Sequence, residues 1–169
     1  GGSKSYYNHT IPSSNSVNGR PVYYYFDSSG ITLENLDAGH VEFAYGNGIN
    51  VKNVNASYGD GIRFYYVQNS SISSSTSNNN NYGIELSYSN TSLIADNNAK
   101  SSSSYGIYSY YSDYNSILGN NASSNSLGIL LYNSRFNKVE NNYLISNSNQ
   151  GIYLNQYSDK NNITGNYIS

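Results

Sequence analysis

The stretch Gly128-Ile129-Leu130-Leu131-Tyr132-Asn133-Ser134-Arg135-Phe136-Asn137-Lys138-Val139-Glu140-Asn141-Asn142-Tyr143-Leu144 decides the fold, because 23 residues after its first glycine the pattern restarts as Gly151-Ile152-Tyr153-Leu154. Upstream, the same pair stands at Gly106-Ile107, Gly83-Ile84 and Gly61-Ile62, at steps of 22, 23 and 22 residues, and His40-Val41 continues the ladder 21 residues earlier. One residue after each anchor come Val41, Ile62, Ile84, Ile107, Ile129 and Ile152; three after it come Phe43, Phe64, Leu86, Ser109, Leu131 and Leu154. Alternation of period two marks a short strand with one buried face.

Further columns keep step. Val51, Ile72, Ile94, Ile117 and Val139 lie 11 residues after the anchors, with Ile163 one position late. Val54, Ser75, Asn97, Asn120, Asn142 and Asn166 follow, then Ala56, Ser77, Ala99, Ala122, Leu144 and Ile168. Ile31-Thr32-Leu33-Glu34-Asn35-Leu36 echoes Ile49-Asn50-Val51-Lys52-Asn53-Val54, so a partial coil precedes the first full one. No apolar residues recur at helical spacing. Three short strands per 21 to 23 residues, with identical faces stacking, predict an all-β parallel β-helix of about six to seven coils. At about 4.8 Å per coil the rod is roughly 30 Å long. Residues 30–169 are expected to form the repeats and 1–29 an N-terminal capping segment. The Asn column is expected inside a turn, each carboxamide bonding to the next coil. The anchor glycine is expected where a side chain would be penalised.

The composition limits function. Thirty Asn and 32 Ser make up over a third of 169 residues; there are 21 Tyr and no Cys, Met or Trp. Charged residues are 11%, against about 25% in an ordinary domain. A net charge of −2 with eight basic residues leaves no footprint for nucleic acid. No apolar run reaches the roughly 18 residues of a membrane span, and there is no thiol for a disulfide or zinc site.

The pattern Gly-Ile-x-Leu followed by x-Asn-x-x-Ile-x-x-Asn resembles the NosD-like group of right-handed parallel β-helix repeats, most clearly at Gly128 through Asn142 and Gly151 through Asn166. Val17-Asn18-Gly19-Arg20-Pro21-Val22-Tyr23-Tyr24 is similar to a segment that precedes such repeats. The resemblance implies a right-handed coil and a secreted or cell-surface protein of archaea or bacteria. It implies little about activity, because the solenoid hosts lyases, hydrolases, metal-handling proteins, adhesins and envelope proteins. The opening Gly1-Gly2-Ser3 shows no signal-peptide pattern, as expected of a mature form or of an excised piece of a longer chain.

Soft-metal ligation has only His9 and His40 to draw on, without Cys or Met, so no cofactor or metal is expected. For glycoside cleavage, Asp113 and Asp159 share a turn column two coils apart, about 9.6 Å, a separation an inverting pair tolerates. Both sit in Ser-Asp turns, where capping is the ordinary role, and the chain is expected not to be an enzyme. Tyr65, Tyr66, Tyr88, Tyr110, Tyr111 and Tyr132 fall four or five residues after the anchors. Such rings either stack on sugars or pack between coils. Sequons occur at Asn8, Asn55, Asn69, Asn90, Asn121 and Asn162. With this much Asn, Ser and Thr about six or seven arise by chance, so they permit glycans without arguing for them.

The function expected is a non-catalytic structural subunit of the cell surface, such as a filament, sheath or surface layer; the alternative is an extracellular carbohydrate-binding or adhesion module, or a fragment of a larger surface protein. An outward column of Glu42, Arg63, Glu85, Tyr108, Leu130 and Tyr153 starts charged and turns apolar, so Tyr108, Leu130 and Tyr153 are expected to form a lateral assembly face. End-to-end, head-to-tail contact is expected between Val22, Tyr23, Tyr24, Tyr25 and Phe26 of one copy and Ile163, Tyr167 and Ile168 of another, because solenoid ends expose strand edges.

Overall fold

In a computed structural model that describes residues 3–169, the alternating segments form parallel strands. Arg20–Phe26, His40–Ala44, Ile62–Tyr65, Tyr82–Ser87, Tyr105–Tyr110, Leu127–Tyr132 and Gln150–Asn155 stack in that order into one sheet. Thr32–Asp37, Asn50–Asn55, Ser71–Ser73, Leu93–Ala95, Ser116–Leu118, Lys138–Glu140 and Asn162–Thr164 stack into a second. A narrower third runs through single bridges from Asn55 by Thr76, Asn98 and Asn121 to Tyr143, and ends as Tyr143–Leu144 against Tyr167–Ile168. The result is a β-solenoid of about seven coils, with no α-helix among the described residues.

The register is the one the repeats require. Val41, Ile62, Ile84, Ile107, Ile129 and Ile152 are successive partners, and all but Ile152 are fully buried. Ile72, Ile94, Ile117 and Val139 close the opposite wall. The Ala56, Ser77, Ala99 and Ala122 column is buried as well. It faces the anchor glycines, which serve close approach and, at Gly61, a left-handed backbone as well (φ 79°). A Cβ on Gly83 would lie 2.6 Å from the Gly106 carbonyl, and one on Gly106 2.7 Å from that of Gly128.

Each complete coil turns at four corners, and a left-handed residue stands at each. Tyr45, Tyr66, Tyr88, Tyr111 and Asn133 mark one corner; Asn69, Thr91, Tyr114, Phe136 and Lys160 another; Asn53, Ser74, Asp96 and Asn141 a third; Tyr58, Asn79, Ser101, Ser124 and Ser146 the fourth. A left-handed L-residue costs about 1–2 kcal/mol, and the offset lies in the residue that follows. Ser89, Ser112 and Ser134 follow the first corner, Ser92, Asn115 and Asn137 the second, Asn97, Asn120 and Asn142 the third, and Asn80, Ser102 and Asn125 the fourth, all buried. Most of these side chains accept the backbone N–H of the equivalent residue one coil earlier, as in Ser112 N to Ser134 Oγ (3.1 Å), Asn115 N to Asn137 Oδ1 (2.8 Å), Asn120 N to Asn142 Oδ1 (2.9 Å) and Ser102 N to Asn125 Oδ1 (2.8 Å). A buried N–H left alone would cost about 1–3 kcal/mol.

The stacked sheet starts at Arg20, upstream of the boundary expected at residue 30. Ser16–Val17 pairs antiparallel with it. Val22 is buried, Tyr25 stacks on Phe43 at 4.8 Å, and the Tyr24 hydroxyl donates to the Tyr7 carbonyl. The N-terminal aromatic stretch is therefore engaged with the next coil and with the N-terminal turn. In the last coil the inward columns open instead: Leu154 is 43% and Ile168 52% exposed and Ile163 is half-buried, while Tyr167 stands outward, as its partner Tyr143 does.

Candidate binding face

Residues that alternate with the buried Ile and Leu of the first sheet point outward in aligned columns. One runs Glu42, Arg63, Glu85, Tyr108, Leu130, Tyr153; its neighbour runs Ala44, Tyr65, Ser87, Tyr110, Tyr132, Asn155. At the strand end, Tyr45, Tyr66, Tyr88 and Tyr111 stack ring on ring with centroids 4.6, 4.8 and 5.3 Å apart. Tyr82 stacks on Tyr105 at the other side. From the N-terminal 3-10 turn Lys4–Tyr7, the Tyr7 ring packs against Tyr45, Tyr65 and Tyr66.

These rings enclose a groove of about 330 Å³ lined by Tyr7, Tyr65, Tyr82, Glu85, Ser87, Tyr88, Tyr108 and Tyr110. Glu85, only 6% exposed, lies within it. Its Oε1 accepts the Tyr65 hydroxyl at 3.2 Å and the Ser87 hydroxyl at 2.9 Å, and its Oε2 stands 3.5 Å from Arg63 Nε. That last contact is ionic, since the buried Nε makes no hydrogen bond. Burial, aided by the Glu85 charge, pushes the Tyr65 hydroxyl well above the ordinary tyrosine range, and burial with neighbouring tyrosines does the same to Tyr108. Tyr7, Tyr82 and Tyr110 shift the same way, burial first, and Tyr24 is pushed up to about 12. The groove thus holds neutral O–H donors, aromatic faces and one carboxylate already paired with a cation.

The sequence expectations map onto this surface unevenly. Tyr108, Leu130 and Tyr153 do share a column, but Leu130 is 4% exposed, set between two larger neighbours, and only Tyr153 stands open at 39%. Of the sequon asparagines, Asn8, Asn69 and Asn162 are exposed, while Asn55, Asn90 and Asn121 are half-buried. Asn69 Nδ2 is occupied by Asn47 Oδ1, and Asn55 Nδ2 by Asp37 Oδ1. Asp113 and Asp159 are both engaged by Arg135: its backbone N–H donates to Asp113 Oδ1 at 2.6 Å and its Nε pairs with Asp159 at 2.7 Å. His40 Nε2 lies 3.1 Å from Glu42 Oε2, and His9 lies beside the Tyr24 ring. The sequence named Tyr65, Tyr88, Tyr108 and Tyr110 but not Tyr7 or Tyr82, and did not join Glu85 and Ser87 to them as parts of one site. The signal was there, as a serine at the position where Tyr65, Tyr110 and Tyr132 stand.

Fold and face together define a parallel β-solenoid with a tyrosine-rich outer sheet. The family model described as "Periplasmic copper-binding protein (NosD)" matches residues 5–169, and the chain belongs to that family. No curated protein matches it.

Proposed function

We propose that this chain is a non-catalytic, extracytoplasmic binding module whose ligand is carbohydrate. The observation that carries the reading is the tyrosine groove, which combines stackable rings, hydroxyls and a buried carboxylate in a concave site on a rigid sheet. Such a mix of apolar faces and a few fixed polar groups is the ordinary make-up of a small-ligand site. The family description, periplasmic, supports a place outside the cytoplasm. Its copper-binding part does not fit the residues present. The chain has neither Cys nor Met, its two histidines point to different partners, and no group of three or more His, Cys, Asp or Glu converges among the described residues. The one carboxylate pair that spacing suggested, Asp113 and Asp159, is held by Arg135 as a turn clasp, which supports binding without chemistry. Passing the protein over an array of immobilised glycans tests the reading: selective retention is expected, and no retention by any glycan contradicts it.

A self-associating structural subunit is the second reading. An exposed aromatic pair on the side of the solenoid favours it, Tyr114 stacked on Phe136 at 4.9 Å with both rings open to solvent. Sedimentation over a range of concentrations should then show association that Phe136→Asp abolishes. A wild-type protein monomeric throughout removes this reading and leaves the first untouched.

A further inference from the structure

We infer that the gap left by Ser87 in the outward tyrosine column is a subsite for one neutral pyranose ring. This rests on the carbohydrate-binding reading and assigns it a place and a chemistry. Along the column Tyr65, Ser87, Tyr110 and Tyr132 are strict register partners, so Ser87 removes one ring from a continuous series. Tyr65 and Tyr110 are two coils apart, about 9.6 Å, so a ring midway stands about 4.8 Å from each coil level. That distance falls within the range of aromatic contact. The space is the groove of about 330 Å³, at whose floor Ser87 and Glu85 lie, 3% and 6% exposed. Tyr82 and Tyr108 meet nearly edge to face, at 5.6 Å and 61°, and close one side of the space into a corner.

The floor selects the ligand. A pyranose has C–H faces that suit tyrosine rings and a rim of hydroxyls that needs donors and acceptors. Glu85 supplies acceptor oxygens and Ser87 a hydroxyl, while the ring hydroxyls remain protonated donors. An anion would meet the Glu85 carboxylate. A cation would find that charge already answered by Arg63 at 3.5 Å. A purely apolar ring would desolvate Glu85 and return no hydrogen bonds, a loss that polar partners avoid. A neutral polyol ring is the class that satisfies faces and floor together.

Titration calorimetry with neutral tetrasaccharides of glucose, galactose, mannose and N-acetylglucosamine tests this, with tetramethylammonium and glucuronate as charged probes. Ser87→Tyr completes the column with the residue already tolerated at three positions in it, so the melting temperature should stay near wild type while affinity falls at least tenfold. Tyr110→Ala, which removes a wall instead of filling the gap, should weaken binding similarly, and Tyr153→Ala, outside the groove, should not. If the wild type binds a neutral sugar and neither Ser87→Tyr nor Tyr110→Ala changes it, the subsite is overturned while carbohydrate binding stands. If no neutral sugar binds, the carbohydrate reading fails and the subsite with it. Binding of tetramethylammonium or glucuronate in place of neutral sugars overturns the ligand class.

Discussion

The Asn120 side chain makes four hydrogen bonds at one corner. Its Oδ1 accepts Asn97 N–H and Asn97 Nδ2, both at 3.0 Å, and its Nδ2 donates to the Ile94 carbonyl at 2.8 Å and to Asn142 Oδ1 at 3.0 Å. Asn120→Leu strands an N–H and a carbonyl in the interior, so thermal unfolding should show a loss of about 2–4 kcal/mol. Ile107→Asp should lose at least as much, about 3–5 kcal/mol, because no cation reaches that column to pair a buried carboxylate. The opposite sign is expected at Thr91, a β-branched residue at φ 54°. Thr91→Asn keeps a side chain able to bond Asn69 and relieves the backbone, and should raise stability by about 0.5–1 kcal/mol. The Asn97–Asn142 column was legible in the sequence because three asparagines stand in register with few substitutes. The other three corners were not, because one is serine throughout (Ser89, Ser112, Ser134), two mix Ser and Asn, and a chain already rich in both hides the period. Their left-handed partners were hidden further still, since Tyr, Ser, Thr and Phe carry no signal for that backbone.

The outer sheet shows what alternation decides and what it leaves open. Period two correctly separates Glu85 and Tyr108 from Ile84 and Ile107, so the outward columns could be read directly. Exposure could not, because it depends on neighbours in other coils: Leu130 is enclosed by its column, and Glu85 by the tyrosines around it. The tyrosine wall makes the element sensitive to alkali. Tyr7, Tyr65, Tyr82, Tyr108 and Tyr110 of the groove, and Tyr24 beside Tyr7, ionise at about pH 10 in the unfolded chain and higher in the folded one. Their stabilisation is therefore complete below pH 10 and is lost as pH rises through the folded values, about 12 for Tyr24. A titration that follows tyrosinate absorbance beside circular dichroism should show a late fraction of tyrosines ionising together with loss of the β signal. A single ionisation of every tyrosine near pH 10 with the fold intact would contradict this packing.

At the scale of the whole molecule, stability comes from repetition. A continuous apolar interior is bounded by four polar ladders, and the exposed ion pairs Lys4–Asp27, Arg135–Asp159 and Lys138–Glu140 contribute little beside them, while Arg63–Glu85 is covered and little screened by salt. Exposed pairs are worth at most about 1 kcal/mol each, so the melting temperature should change little between low and high salt. A marked salt dependence would mean that ion pairs matter more than the ladders. The rod's stiffness fits either reading of function, but only the groove supplies a reason for a particular ligand. The most direct test of the central claim is nuclear magnetic resonance of ¹³C-tyrosine-labelled protein titrated with the glycan retained on the array. The account predicts shifts at Tyr65, Tyr82, Tyr88, Tyr108 and Tyr110, with Tyr114, Tyr143 and Tyr167 unmoved; shifts confined to those last three, or none at saturating glycan, would contradict it.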